Sequence, residues 1–273
     1  MLTYVKCQVR YSSLHASSAL LLSSDEHELV PSASLLSLML DTLPSVPQSQ
    51  FPQFISSLNR LVMAKPALFQ PHLQSLLSFL GPKISPNTDG ASTPTESMPA
   101  SMHPSTKSKS SRKYTDGLDE EQEAAMKAAL EFMITLSGAG SGIVNEVDGW
   151  VAAIVRGCLE GMGTLRDDDL DEWLEADVRL CLFATNYRLM ELTQAIDNVM
   201  DDSYARVCEQ ALRRLAAAVR EPLLSCVFAY IPSMVANYDW RLRHAGLAAI
   251  AQVVVVEWSL TVCSITHSPS AKI

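Results

Sequence analysis

Apolar residues recur at helical spacing along most of this chain, in segments that follow one another in pairs. In one segment, for example, Phe54, Leu58 and Leu61 are four and three residues apart, which places them on one face of a helix. Prolines separate neighbouring segments, as Pro44 and Pro47 do after the second. The pattern predicts an all-α chain. Its helices are expected at residues 9–22, 28–43, 48–64, 68–80, 119–136, 145–165, 204–219 and 222–236, with a last one from 240.

The spacing between the predicted helix starts indicates a repeat. Starts near 9 and 48, and near 203 and 240, lie about 37 to 39 residues apart, which is the range of two-helix HEAT or armadillo repeats. A two-helix unit cannot bury its apolar face alone, so neighbouring units stack into a superhelix with a concave binding surface. We therefore expect an α-α superhelix, a solenoid of HEAT or armadillo type with about four to five helix pairs. So few repeats without polar capping repeats leave apolar ends, which predicts self-association or marginal stability.

Composition agrees with helices and narrows the class of partner. Hydrophobic residues make up 48% of the chain but aromatic residues only 7%, and Ala and Leu are abundant, which favours helices over β-sandwiches. The formal net charge of −9 argues against a nucleic-acid binder, because phosphate contacts need clustered Lys and Arg. An acidic chain suits basic protein partners.

Residues 82–117 break the helical pattern, since Pro, Ser, Thr and Lys dominate and large aliphatic residues are almost absent. Such a segment cannot bury enough apolar surface to offset its ordering entropy, so we predict a disordered insertion in a loop. It carries a short basic cluster, which we interpret as solubilising charge rather than as a localisation signal. The cluster consists of Lys107, Lys109, Arg112 and Lys113.

An acidic stretch is the main candidate for a binding site. Dense carboxylates around one tryptophan could receive Lys- and Arg-rich signals by charge pairing and aromatic contact. The alternative is a solvated loop between helices that discourages aggregation. The spacing lacks the turn glycine of a calcium-binding EF-hand loop, so no metal site is expected. The stretch comprises Asp167, Asp168, Asp169, Asp171, Glu172, Trp173, Glu175 and Asp177.

The sequence contains no recognisable catalytic constellation, so neither an enzyme nor a cofactor is expected. The six cysteines form no C-x-x-C pair and are interpreted as buried, reduced thiols of an intracellular protein. Gly138-x-Gly140-x-Gly142 follows a predicted helix, whereas phosphate-binding loops follow a strand. His244 is interpreted as a packed core histidine. No apolar run is long enough to cross a membrane, and no signal peptide is recognised, so a soluble protein without membrane insertion is expected.

Residues 239–250 read Asp-Trp-Arg-Leu-Arg-His-Ala-Gly-Leu-Ala-Ala-Ile and resemble the second-helix signature of HEAT repeats. In that signature an Asp and an Arg form a ladder between repeats. The resemblance therefore implies a structural ladder role, rather than a ligand contact, for Asp239, Trp240, Arg241 and Arg243.

The same string is similar to a segment of the karyopherin-β nuclear transport receptors, in the importin beta-3 branch. Stretches at 43–45, 65–73, 128–136, 148–163 and 209–216 resemble that branch too, in the same order. The resemblance covers roughly 9–84 and 119–252. It implies a receptor that binds cargo localisation signals on its inner surface, the GTPase Ran in its GTP form, and phenylalanine-glycine nucleoporins on its outer surface. Such a receptor works in the cytoplasm and the nucleus, and the acidic stretch would be a cargo- or Ran-binding site.

Residues 178–196 and 253–273 fit the family badly, and we hypothesise that these two stretches are not native coding sequence. The predicted organisation is HEAT-like repeats at 9–81, the disordered insertion at 82–117, a HEAT-like repeat with the acidic loop at 118–177, an atypical stretch at 178–196, HEAT-like repeats at 197–252 and an atypical tail at 253–273. The alternative function is that of a generic HEAT-repeat scaffold, such as a regulatory phosphatase subunit or a microtubule-binding array.

Overall fold

A computed structural model describes residues 2–23, 29–86, 120–165 and 203–266 of the chain. These residues form α-helices joined by turns and short 3-10 helices, and no strand occurs among them. The α-helices are α1 (Leu2–Ser23), α2 (Leu29–Asp41), α3 (Phe51–Ala64), α4 (Leu73–Leu80), α5 (Glu120–Ala139), α6 (Ser141–Asn145), α7 (Trp150–Met162), α8 (Tyr204–Val219), α9 (Glu221–Val235) and α10 (Trp240–Thr266). The 3-10 helices are Leu43–Ser45, Gln48–Gln50, Pro66–His72 and Gly81–Ile84.

The helices pack in two rows. The first row consists of α1, α3, α5, α8 and α10, each against the next. The second row runs from α2 through the 3-10 helix Pro66–His72 and α4 to the 3-10 helix Gly81–Ile84, α7 and α9. Across the rows, α7 packs on α8 and α9 packs on α10. Two rows of stacked helices form the predicted α-α superhelix, so the fold class is confirmed.

One continuous apolar core runs between the rows. At its centre Phe69, in the second row, meets Phe132 of α5 edge to face, with ring centroids 5.9 Å apart. Trp150 is fully buried, and its indole Nε1–H donates a hydrogen bond of 3.0 Å to the Ser137 hydroxyl. That hydroxyl donates in turn to the carbonyl of Met133, at 2.8 Å. The indole N–H of Trp150 and the hydroxyl of Ser137 thus both have hydrogen-bond partners inside the core, as buried polar groups need.

Proline and a lysine side chain define the end of α3 and the turn that follows it. The helix ends at Ala64, before Lys65 and Pro66, because a residue that precedes proline disfavours helical backbone angles. The ammonium group of Lys65 donates a hydrogen bond of 2.7 Å to the carbonyl of Leu21 at the end of α1. The turn is therefore attached to the preceding helix of the first row.

Several helix boundaries differ from the sequence prediction. The first helix, expected from residue 9, begins at Leu2, and the helix expected from residue 48 begins at Phe51 after a 3-10 turn. The segment expected at 68–80 is a 3-10 helix up to His72, with Pro71 inside it, before α4 begins. The helix expected from 145 begins at Trp150, after Gly149 adopts a left-handed φ of 84°. The last helix continues without a break to Thr266, although the helical pattern was expected to end at 252. Its β-branched residues lower helix propensity by only about 0.5 kcal/mol each, which does not end a helix.

The predicted insertion begins later than residue 82. Ile84 is fully buried and belongs to the core, because the 3-10 helix Gly81–Ile84 packs on α5 and α7. Residues 87–117 of the predicted insertion, together with the atypical stretch at 178–196, lie outside the described residues.

Candidate functional site

The acidic stretch lies outside the described residues, in a segment of which both ends are described. The chain leaves the described structure at Leu165, three residues after the end of α7, and re-enters at Ser203, before α8. Because α7 packs directly on α8, the 166–202 segment connects two neighbouring helices. The predicted binding residues therefore belong to a connection from the second row to the first. They are Asp167, Asp168, Asp169, Asp171, Glu172, Trp173, Glu175 and Asp177.

A glycine allows this close approach of α7 and α8. A Cβ atom built on Gly161 would lie 2.4 Å from Cys208 Sγ and 2.7 Å from Tyr204 Cε1, which is shorter than any van der Waals contact. One turn earlier, a Cβ on Gly157 would lie 2.8 Å from the side chain of Ile84. Two glycines four residues apart thus form a flat strip on α7 that receives bulky neighbours.

The Tyr204 side chain occupies this strip and also reaches the 3-10 helix Gly81–Ile84. Its hydroxyl donates a buried hydrogen bond of 2.6 Å to the carbonyl of Ile84. Beside it, the Ser85 hydroxyl donates to a carboxylate oxygen of Glu160 on α7. Ile84 and Ser85, just before the 87–119 segment, are therefore bound to two elements. Ile84 is bound to Tyr204, just after the 166–202 segment, and Ser85 is bound to α7.

The groups in this contact have titration behaviour typical of a buried site. Burial, reinforced by the neighbouring Cys208, raises the pKa of the Tyr204 hydroxyl well above its ordinary value. Burial and a hydrogen bond with Cys158 raise the pKa of the Cys208 thiol well above its ordinary value too. Because the thiolate is the reactive form, Cys208 is an unreactive packing residue. Of the cysteines in the described residues, Cys158 and Cys208 are free and buried, as the sequence predicts, whereas Cys226 is free but only partly buried.

The predicted ladder residues lie at the turn into α10, next to Leu165, the last described residue before the acidic stretch. Asp239 caps this helix, because its Oδ1 accepts a hydrogen bond of 3.0 Å from the Arg241 backbone N–H. Arg241 Nε donates to the carbonyl of Leu165 at 2.8 Å, 76 residues earlier. The same guanidinium lies 5.2 Å from the centroid of the Trp240 ring. Arg241 thus attaches the first turn of α10 to the point where the acidic stretch begins.

Arg243 acts within its own turn. Its Nη1 donates hydrogen bonds of 2.8 Å to the carbonyls of Asn237 and Tyr238. The contact with the preceding helix pair is therefore made by Arg241, while Asp239 and Arg243 order the turn itself. The ladder role of these four residues in a longer array stays a prediction.

One charged contact between helices of the first row was not predicted. The guanidinium of Arg214 on α8 donates two hydrogen bonds, of 2.6 and 3.0 Å, to the carboxylate of Glu131 on α5. The pair is 83 residues apart and half exposed, so sequence spacing could not reveal it. Within α8, Glu209 forms an ion pair with Arg206, three residues earlier, at 2.9 Å.

A shallow groove of about 440 Å³ runs between α1 and α3, lined by Tyr11, His15, Gln53 and Arg60 among others. The rings of Tyr11 and His15 are tilted against each other at 6.5 Å. Within the described parts of the chain, no group of three or more His, Cys, Asp or Glu side chains is placed to hold a metal ion. No helix in these same parts is long and apolar enough to cross a membrane.

Comparison with known proteins finds a likeness in fold alone. No family model matches the chain, and no curated protein matches its sequence. Solved structures do match. A crystal structure of Kap121p bound to RanGTP is similar over 91% of this chain and 20% of that one, with a TM-score of 0.62 and 17% sequence identity. A Kap121p mutant is similar over 95% of this chain and 21% of that one, with a TM-score of 0.63 and 19% identity.

The chain therefore spans about a fifth of the length of the solenoids that it resembles. Kap121p is a karyopherin, so the likeness agrees with the HEAT-type superhelix of the described residues. At this level of identity the shared property is the fold.

Proposed function

We propose that this chain is a protein-binding segment of an importin-like transport receptor, and that it acts by binding without catalysis. The observation that carries the proposal is the likeness in fold to Kap121p, which extends over nine tenths of the chain. The resemblance of residues 239–250 to the karyopherin-β receptors supports it independently, because that resemblance lies in the sequence.

We propose that the acidic stretch receives a basic localisation signal on a cargo protein. Carboxylates attract Lys and Arg side chains, and Trp173 offers a ring face for a cation. The contacts at the two ends of the 166–202 segment, which contains the stretch, support this role. Gly161 lets α7 and α8 approach closely, and Arg241 donates a hydrogen bond to the carbonyl of Leu165, two residues before the stretch begins.

The further partners follow from the same proposal. Kap121p has been crystallised with RanGTP. We propose that this chain also binds Ran in its GTP form. Phenylalanine-glycine nucleoporins complete the set that a transport receptor needs to cross the nuclear pore. The corresponding location is the cytoplasm and the nucleus.

A peptide-binding experiment tests the cargo site. A fluorescent Lys- and Arg-rich peptide is titrated with the chain, and its anisotropy is followed at two salt concentrations. We expect peptide binding that weakens as the salt concentration rises. Binding should also weaken at least tenfold when three charges are removed together by Asp167→Asn, Asp168→Asn and Asp169→Asn, because these charges attract the peptide. The matched control removes three exposed charges elsewhere, by Glu120→Gln, Glu121→Gln and Glu221→Gln. An equal loss in both variants would show only a general effect of net charge and would refute the acidic stretch as the site.

A second experiment separates a transport receptor from a generic scaffold. Immobilised chain is exposed to Ran loaded with GTP or with GDP, and to phenylalanine-glycine repeat peptides. A transport receptor is expected to retain Ran with GTP in preference to Ran with GDP. If the basic peptide binds but neither Ran nor the nucleoporin repeats do, the chain is a scaffold and the transport proposal is wrong.

A further inference from the structure

The exposed face of α8 is basic, although the chain as a whole is acidic. Residues 203–220 hold four arginines and one glutamate, a formal charge of +3, in a chain whose formal net charge is −9. Among the side chains that the structure describes, none of the exposed large hydrophobic ones lies on this helix. The face is therefore distinguished by its charge and not by apolar area. The four arginines are Arg206, Arg213, Arg214 and Arg220.

Three of these arginines recur at every seventh residue. Seven residues make about two helical turns, so Arg206 and Arg213 lie on one face, about 10.5 Å apart along the axis. Arg220 follows two turns further along the same line, where the helix ends. The positions between them on this line, Gln210 and Ala217, are exposed and uncharged. We call these five residues the basic stripe.

The carboxylates of neighbouring residues compensate only part of this charge. Arg206 forms an ion pair with Glu209, and Arg214 forms one with Glu131 of α5. Within the described parts of the chain, Arg213 and Arg220 form no ion pair. Two uncompensated cations on one line of a helix favour a partner that brings carboxylates of its own.

Arg220 carries a backbone strain that the turn itself does not require. Its φ of 59° and ψ of −115° lie where glycine is favoured, and no other non-glycine residue of the described chain has a positive φ. The turn uses only its backbone, since its N–H donates to the Ala216 carbonyl and its carbonyl accepts from the Leu223 N–H. Glycine could make both bonds, so what arginine adds here is its side chain. Strained residues of this kind are typical of binding sites.

We propose that the basic stripe docks an acidic segment of a partner protein, whose carboxylates pair with Arg213 and Arg220. Two turns of a partner helix or about three residues of an extended segment span the distance of about 10.5 Å. A nucleic acid is the less suitable partner, because the net charge of −9 repels phosphates. The inference does not depend on the proposed transport role, since the acidic stretch and the basic stripe attract opposite charges.

Binding of a fluorescent polyglutamate peptide to the full chain, followed by anisotropy at low and at physiological salt, tests the proposal. We expect binding that weakens as the salt concentration rises. Arg213→Gln with Arg220→Gln should lower the affinity by about fivefold or more, because two ion pairs are lost. The matched control, Arg60→Gln with Arg156→Gln, removes two exposed arginines from α3 and α7 and changes the net charge equally. It should lower the affinity much less.

A glycine variant separates docking from folding. Arg220→Gly removes the cation and the backbone strain together. We expect weaker binding of polyglutamate, with a midpoint of thermal unfolding at least as high as that of the native chain. A lower midpoint with unchanged binding would show that the side chain serves the fold, and would overturn the proposal. Circular dichroism checks that each variant folds.

Four other results would overturn the proposal. The first is that the native chain does not bind polyglutamate at low salt. The second is an equal loss of affinity in the stripe variant and in its control. The third is tighter binding of a single-stranded RNA of equal charge, which would indicate a nucleic-acid partner. The fourth is binding of the peptide only after Asp167→Asn, Asp168→Asn and Asp169→Asn, which would mean that the chain's own acidic stretch occupies the stripe.

Discussion

The hydroxyl of Tyr204 donates a buried hydrogen bond of 2.6 Å to the carbonyl of Ile84, 120 residues earlier in the sequence. The bond joins the first turn of α8 to the last turn before the 87–119 segment. It therefore links parts of two helix pairs that long connections separate along the chain.

Tyr204→Phe should lower the free energy of unfolding by about 1 to 3 kcal/mol, because it leaves a buried carbonyl without its donor. Urea unfolding followed by circular dichroism measures the change. Tyr230→Phe, at a partly exposed position on α9, serves as the control and should have a smaller effect. Equal losses in the two variants would mean that the bond to Ile84 contributes nothing particular.

The raised pKa of Tyr204 gives a prediction at alkaline pH. The folded state holds this proton above pH 10, where the unfolded chain releases it, so stability is present below about pH 10 and is lost as the pH rises further. Stability curves between neutral and alkaline pH should therefore fall less steeply for Tyr204→Phe than for the native chain. Identical slopes would contradict the assignment.

The glycine strip on α7 can be tested by a pair of alanine substitutions. Gly161→Ala forces a Cβ to within 2.4 Å of Cys208 Sγ, so it should destabilise the fold by about 1 to 3 kcal/mol or more through overpacking. Gly138→Ala on α5 meets nothing within 4 Å and should stabilise the chain by about 0.5 to 1 kcal/mol through helix propensity. Thermal or urea unfolding measures both. Stabilisation by both substitutions would show that helix propensity, and not the close approach, decides the outcome.

The pair of Glu131 and Arg214 should contribute modestly, because both side chains are half exposed. A double-mutant cycle with Glu131→Gln and Arg214→Gln should give a coupling energy of about 0.2 to 1 kcal/mol that shrinks at high salt. The pair of Glu123 and Lys127, within α5, provides a reference for an ordinary intrahelical ion pair. A coupling of zero at low salt would show that the bidentate geometry does not persist in solution.

His244 predicts a loss of stability in mild acid. Burial lowers its pKa in the folded state, so the unfolded chain binds the proton first as the pH falls. Stability should accordingly be lost as the pH drops below about 6.5, the ordinary value for histidine. His244→Gln should flatten the dependence of the unfolding free energy on pH between pH 7 and pH 5, because it removes the imidazole that takes up the proton there. An unchanged slope in the His244→Gln variant would contradict the role of His244.

The sequence was enough to predict the helices and their stacking, because both depend on local periodicity. Phe54, Leu58 and Leu61 are buried as their spacing predicts. The predicted helix boundaries failed where the spacing of apolar residues does not determine the residue at which a helix begins or ends. The left-handed Gly149 delays the start of α7, and the β-branched residues after Val253 did not end α10.

The candidate site was predictable only where its signal was compositional. The acidic stretch is visible as a run of carboxylates, and it stays a prediction because it lies outside the described residues. The contacts around it join residues far apart in the chain. Arg241 reaches Leu165, and Tyr204 fits against Gly161, and neither contact has a signature in local sequence.

The two-row packing has a mechanical consequence. Each helix pair is held chiefly by the pairs on either side of it, and tension applied to the two termini is the same along the whole chain, so a pair with a neighbour on one side only should detach first. The chain should then lengthen in steps, shedding terminal helix pairs first while α5, α7 and α8 still hold together. A molecule of this kind behaves as a spring that yields from its ends inward.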